Sequence, residues 1–174
     1  MLRPLLALAL ALPLAATLAI QAPRNFAGTW VLDPSAGAAV GGRQGAVDTA
    51  GGGRGGGLGL GPSADSLVIT QTADTLTVDE HRAAESARIV YRLDGKPASY
   101  ALSAGRSAGA KVTASSRWQG NRLITTITLP ASGTIESITY EESRWIESDG
   151  TMVIEVRRPG QPNMRRSVYR RKLT

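Results

Sequence analysis

Cysteine is missing from all 174 residues, which removes disulfides, thiol nucleophiles and thiolate-bound zinc together. Histidine occurs once and phenylalanine once, so a site built from several imidazoles is excluded. No G-K-[ST] or H-E-x-x-H string occurs, so neither a phosphate-cradling P-loop nor a zincin helix is available. Beyond the first two dozen residues no stretch keeps helical spacing over three turns. Acidic residues are missing from the last eighteen positions, which carry Arg157, Arg158, Arg165, Arg166, Arg170, Arg171 and Lys172.

The beginning of the chain is a different matter. Met1 to Pro4 is short and basic, and Leu5 to Ile20 is almost wholly Leu, Ala and Ile without a charge. That is the pattern of a secretory signal peptide, with cleavage expected after Ala19 or Ala22; the alternative is an uncleaved anchor. No cysteine follows the apolar run, so a lipoprotein anchor is excluded. The expected organisation is a signal peptide at 1–22 and one domain at 23–174. The expected location is periplasmic or secreted, with no transmembrane segment after cleavage. Without disulfides, such a domain must be held by burial and sheet pairing.

The net charge of +6 is unevenly spread: residues 23–156 carry twelve basic and fourteen acidic side chains, so the excess sits at the C-terminus. A basic last strand could meet an anionic envelope component or partner, but outward arginines also protect a sheet edge. The second explanation is preferred, and nucleic acid is not an expected partner of an exported protein.

What the chain does have is β punctuation. Phe26 to Asp33 reads as a first strand, closed by Asp33-Pro34-Ser35. From Gly37 to Gly61 twelve of twenty-five residues are glycine; a segment so poor in apolar side chains cannot offset its ordering entropy, so a disordered insertion is expected at 36–63. Its chance G-x-G-x-x-G at Gly51, Gly53 and Gly56 has no βαβ unit around it and means nothing. From Ser66 onward short β-rich runs repeat, with Ala87, Ile89, Tyr91 and Leu93 on one face of one run. Val112, Ala114, Ser116 and Trp118 share a face of another, and Met152, Ile154 and Val156 of a third. Asp94-Gly95 is a hairpin signal, as are the two related turns that follow Arg117-Trp118 and Arg144-Trp145. The count is about eight to ten strands in sequential order, an antiparallel meander whose edges vanish if it closes. An up-and-down barrel is the leading architecture and an open two-sheet sandwich the second.

Gly28-Thr29-Trp30, in the first strand behind a signal peptide, resembles the G-x-W opening of the lipocalins and related calycin barrels. Phe26-x-Gly28-x-Trp30-x-Leu32-Asp33-x-Ser35, Leu93-Asp94-Gly95, Ser116-Arg117-Trp118-x-Gly120 and Val168-Tyr169-Arg170-Arg171 are similar to segments of exported, lipocalin-like bacterial proteins of unassigned function. The second lipocalin signature, T-D-Y, is absent. The resemblance implies an all-β, lipocalin-like barrel in which Gly28, Trp30 and an arginine of the last strand (Arg170, with Arg166 and Arg171 as alternatives) close one end.

Chemistry has thin support. His81 would share a strand face with Asp79, which suits a weak metal site or an oriented imidazole, but an exposed strand end explains it better. Glu141 and Glu142 face opposite ways if they lie on a strand, so they form no local acid–base pair. No cofactor is expected. Aromatic side chains offer more: Trp30, Tyr91, Trp118 and Trp145 are the candidate contacts for a small apolar or amphipathic ligand, although the same residues could simply fill the barrel. A non-catalytic exported barrel that binds such a ligand is the expected function. The alternative is an interaction module docking through its arginine-rich last strand.

Overall fold

The computed structural model describes residues 24–36, 64–82, 85–101, 109, 111–131, 136–157 and 164–173. Residues 1–22, the expected signal peptide, and nearly all of the expected insertion at 36–63 lie outside the described residues. Among the described residues there are ten strands and no helix. They are β1 (Gly28–Leu32), β2 (Ser66–Gln71), β3 (Thr75–Arg82), β4 (Glu85–Arg92), β5 (Ala98–Ala101), β6 (Lys111–Gln119), β7 (Arg122–Leu129), β8 (Ile138–Ile146), β9 (Met152–Arg157) and β10 (Met164–Arg171).

All ten belong to one antiparallel sheet in the order β4-β3-β2-β1-β10-β9-β8-β7-β6-β5. Chain neighbours pair throughout except β4 with β5, and one further pairing joins β1 to β10; these two departures define the barrel. The first and last strands pair, with Trp30 opposite Arg171 and Leu32 opposite Tyr169. The ladder is extended at both ends by Lys172 N–H to Thr29 O and Asp33 N–H to Val168 O, each 2.8 Å. In turn β4 and β5 become the two ends of the sheet; they do not pair, but β4 lies against β5 and β6. The result is a nearly closed, lipocalin-like barrel. The sandwich is excluded.

Asp94-Gly95 therefore makes a turn without a hairpin ladder. Asp94 spends its carboxylate on Arg92 and on the Lys96 N–H, and Pro97, which opens the approach to β5, has no N–H to donate. Gly120, at φ 60°, performs the tight reversal between β6 and β7 that the sequence predicts.

Alternation fills the interior as read. Ile89, Tyr91 and Leu93, Val112, Ala114 and Ser116, and Met152, Ile154 and Val156 are all buried, and the apolar members join one core cluster with Leu67, Ile69, Leu76 and Val78. One end is plugged by the segment before β1. Phe26, fully buried, reaches across to Trp118 of β6 and stacks on it with ring centroids 5.6 Å apart and planes within 4°. Gln71 of β2 holds this plug twice, accepting from Phe26 N–H at 2.9 Å and donating to Arg24 O at 3.1 Å.

Trp30 is the floor beneath it. It is fully buried, and its indole N–H donates to Phe26 O at 2.8 Å. Arg171, opposite it in the register, lays its guanidinium 4.7 Å from the ring centroid. Gly28 makes room: a Cβ there would lie 3.1 Å from Arg171 Nη1, and its φ of 138° is strained for any other residue. The closing arginine is thus Arg171 rather than Arg170. The reason is the two-residue period of a strand. Trp30 points inward and so does its partner Arg171, whereas Arg170 opposes the exposed Val31 and points outward, where it donates to Asp33 at 2.6 Å.

Trp30→Ala should remove about 3–5 kcal/mol of stability, as large-to-small changes at packed aromatic positions do. Urea denaturation of the two proteins measures it, and a loss below about 1 kcal/mol would contradict the role of this side chain as the floor of the barrel.

Candidate functional site

The inward faces of β3 and β8 begin apolar and turn charged. On β3 the inward series is Leu76, Val78, Glu80 and Arg82; on β8 it is Tyr140, Glu142, Arg144 and Ile146. Each strand carries a carboxylate and a guanidinium two residues apart, which places both on one face. Arg82 Nη2 donates to Glu80 Oε2 at 2.7 Å, and Arg144 Nη2 donates to Glu142 Oε1 at 2.8 Å. Glu142 and Arg144 are 5% and 3% exposed, so this second pair is effectively out of water.

Three tyrosines complete the interior. Arg144 Cζ lies 5.9 Å from the ring centroid of Tyr91 on β4, and Tyr91 meets Tyr100 of β5 edge to face at 6.2 Å. Tyr169 of β10 donates its hydroxyl to Ala64 O at 3.2 Å. Among the described residues, Arg144 Nε and Nη1 are buried without a hydrogen-bond partner. An unmatched donor in such a place is costly, so a buried guanidinium with two of them is a strong sign of a site built for an acceptor.

The electrostatics follow from burial. Desolvation pushes the Glu80 carboxyl up to about 8; Arg82 pulls against it, Glu142 reinforces it and Arg144 opposes it. Burial likewise raises all three tyrosine hydroxyls, so they stay neutral donors and acceptors. For Arg144 burial is the largest influence and works against the charge, but Glu142, Tyr91 and Glu80 together outweigh it and hold the guanidinium protonated.

The sequence candidates scatter across this frame. Tyr91 belongs to the cluster. Trp30 and Trp118 point inward but belong to the plugged end, where Trp118 also borders a hollow of about 310 Å3 with Asn25, Gln71 and Leu93. Trp145 is outside the barrel. It packs with Val153, Val168 and Ala36 in a separate outer cluster, donates its indole N–H to Glu147 and is covered by Arg122, 4.0 Å from its ring centroid. The two Arg-Trp turns thus aim their tryptophans to opposite faces, because Trp118 opposes inward Leu123 while Trp145 opposes outward Val153.

His81 and Asp79 share the outer face as expected, and Asp79 is engaged by Arg88 at 2.6 and 3.0 Å. Glu141 also points outward, to Arg157 at 2.6 Å. The string Gly105-Arg106-Ser107-Ala108-Gly109 has nucleophile-elbow spacing, but its first four residues lie outside the described residues. Glu80, Arg82, Glu142 and Arg144 are the residues missed. Their phase relative to Leu76, Val78, Tyr140 and Ile146 was the available signal.

Solved structures share the architecture. A structure described as a REP1-NXSQ fatty acid transporter is 14% identical, with a TM-score of 0.53 over 85% of this chain and 96% of its own. One described as human cRBP IV is 18% identical, with a TM-score of 0.54 over 86% of this chain and all of its own. At such identities the likeness shows the fold alone, a calycin-type barrel. No protein-family model and no curated protein matches the sequence.

Glu80 makes stability depend on pH in a definite direction. Its carboxyl sits at about 8 in the folded protein against an ordinary 4.5, so between those values the native state binds the extra proton. Stability therefore falls as pH rises from about 4.5 to about 8 and levels off above. Glu80→Gln should flatten that decline, read as urea midpoints at pH 5 and pH 8.5; an equally steep decline in the variant would refute the assignment.

Proposed function

We propose that the protein is an exported, non-catalytic barrel that binds a small amphipathic ligand in its interior, tail against the apolar lining and polar head at Arg144. The observation that carries this reading is Arg144 itself. It is a buried guanidinium with one nitrogen committed to Glu142 and two turned to no partner among the described residues. A ligand oxygen, or two oxygens of one head group, would satisfy them with charge-assisted bonds. Ten strands enclose more interior than eight, which favours a ligand space over a filled core. The solved structures that share this fold include one described as a fatty acid transporter, which supports an apolar ligand here as well.

Docking through an arginine-rich last strand draws less support. Arg157 pairs with Glu141, Arg166 lies within 3.8 Å of Glu147 and Glu155, Arg170 holds Asp33, and Arg171 is spent on Trp30. Charges already engaged on their own surface attract an anionic partner weakly.

Titration of the tryptophan fluorescence with dodecanoate and with dodecanol checks the reading. Saturable one-to-one binding of the acid is expected. The paired change Glu142→Gln with Arg144→Gln, which leaves no lone charge behind, should weaken the acid at least about tenfold and the alcohol little, since a charge-assisted bond contributes about 1.5–3 kcal/mol. Flat titrations with both compounds would sink the proposal.

A further inference from the structure

With Glu80 ionised, the interior cluster is balanced before anything enters it. Two guanidinium groups, Arg82 and Arg144, face two carboxyl groups, Glu80 and Glu142, and every one of the four is at least mostly buried. An anionic head group arriving at Arg144 brings one further negative charge into a place with little water. Burying an unbalanced charge is among the most expensive things a protein interior can do. One of the groups already there must give way.

Geometry says which one. Glu142 is tied to Arg144, the residue that receives the head group, and its negative charge keeps that guanidinium in place. Glu80 stands on the other strand with Arg82, whose side chain is 18% exposed, against 3% for Arg144. Its register neighbours, Leu67 on β2 and Ala87 on β4, bring no charge to stabilise an anion. From the remaining elements it is faced by Glu142 and Arg144 of β8 and by the neutral hydroxyls of Tyr91, Tyr100 and Tyr169 on β4, β5 and β10. Asp79 and His81, its chain neighbours, point to the outer face. A protonated Glu80 still offers its carbonyl oxygen to Arg82, so accepting a proton breaks no hydrogen bond.

We propose that the barrel takes up a carboxylic acid as an anion and a proton together, the carboxylate on Nε and Nη1 of Arg144 and the proton on Glu80. This rests on the binding reading above and narrows it: the ligand is an apolar monocarboxylic acid, and where Glu80 starts ionised it enters with no net charge. No bond is made or broken in the ligand. The proton comes from solvent whenever Glu80 is ionised beforehand and is already in place when it is not. Because Glu80 titrates near 8 in the free protein, the coupling is silent in mild acid and strong in mild base.

The experiment is isothermal titration calorimetry of the full-length protein, freed of its leader, with dodecanoate at pH 6 and pH 9, each in two buffers of unequal ionisation enthalpy. Proton uptake near zero is expected at pH 6 and close to about one per ligand at pH 9, with Kd loosening about tenfold between pH 7 and pH 9, as linkage to a single site requires. Dodecanol should show neither effect. In Glu80→Gln, which imitates the protonated carboxyl, dodecanoate should bind with no uptake and a Kd independent of pH. The 13C shift of the Glu80 carboxyl in the wild-type protein supplies the same information without a variant: it should move to the protonated position when dodecanoate is added at pH 9. Tight binding of dodecanoate with no uptake at pH 9, or uptake that persists in Glu80→Gln, overturns the coupling while leaving the binding reading intact. Absence of binding by either compound at any pH overturns both.

Discussion

The pairing of β1 with β10 is the constraint on which the rest of the molecule depends. A ten-strand meander left open would expose two unpaired edges and one long apolar face. Joining its first and last strands turns that face inward and makes an inside for the chain to have. The join is short, five residues on the β1 side, and it is reinforced by side chains rather than by length. Trp30 fills the floor, Arg171 lies across it, Gly28 gives Arg171 the space, and Phe26 bridges from Trp30 to Trp118 on the far wall. Three of these four lie within five residues of sequence, so the opening motif is a closure device in miniature.

Much of this was legible in the residues alone. Alternation in β4, β6 and β9 identified the inward series, turn chemistry separated the strands, and the G-x-W opening located the closed end. What stayed hidden has one physical cause. Alternation divides a strand into two faces but does not say which is inside when both carry large or mixed side chains. β8 is the case in point: the face with Glu142 and Arg144 is the buried one, while the face with Trp145 looks outward. Trp145 suggested an interior because tryptophan usually seeks one, and here an outer cluster of Val153, Val168 and Ala36 provides the burial instead. The same one-residue phase decides between Arg170 and Arg171. Asp94-Gly95 misled differently, since a turn dipeptide reports local backbone preference and not whether the flanking strands go on to pair.

The charged interior explains why the candidate site escaped composition. Four ionisable side chains at the heart of a small barrel read, in a sequence, as ordinary solvated strand residues. Their burial is affordable only because they come in two local pairs, each two residues apart on one strand. A hydrophobic replacement could serve stability as well or better, so stability alone does not account for such groups.

The break between β4 and β5 has a mechanical meaning. Every other junction in the wall is stitched by backbone hydrogen bonds, so widening the cylinder elsewhere means rupturing a ladder. At this one seam the two strands merely touch, and the circumference can grow by sliding side chains apart. Tyr91 and Tyr100 stand on either lip of it, edge to face. The barrel thus has a natural expansion joint, set beside the guanidinium that waits inside.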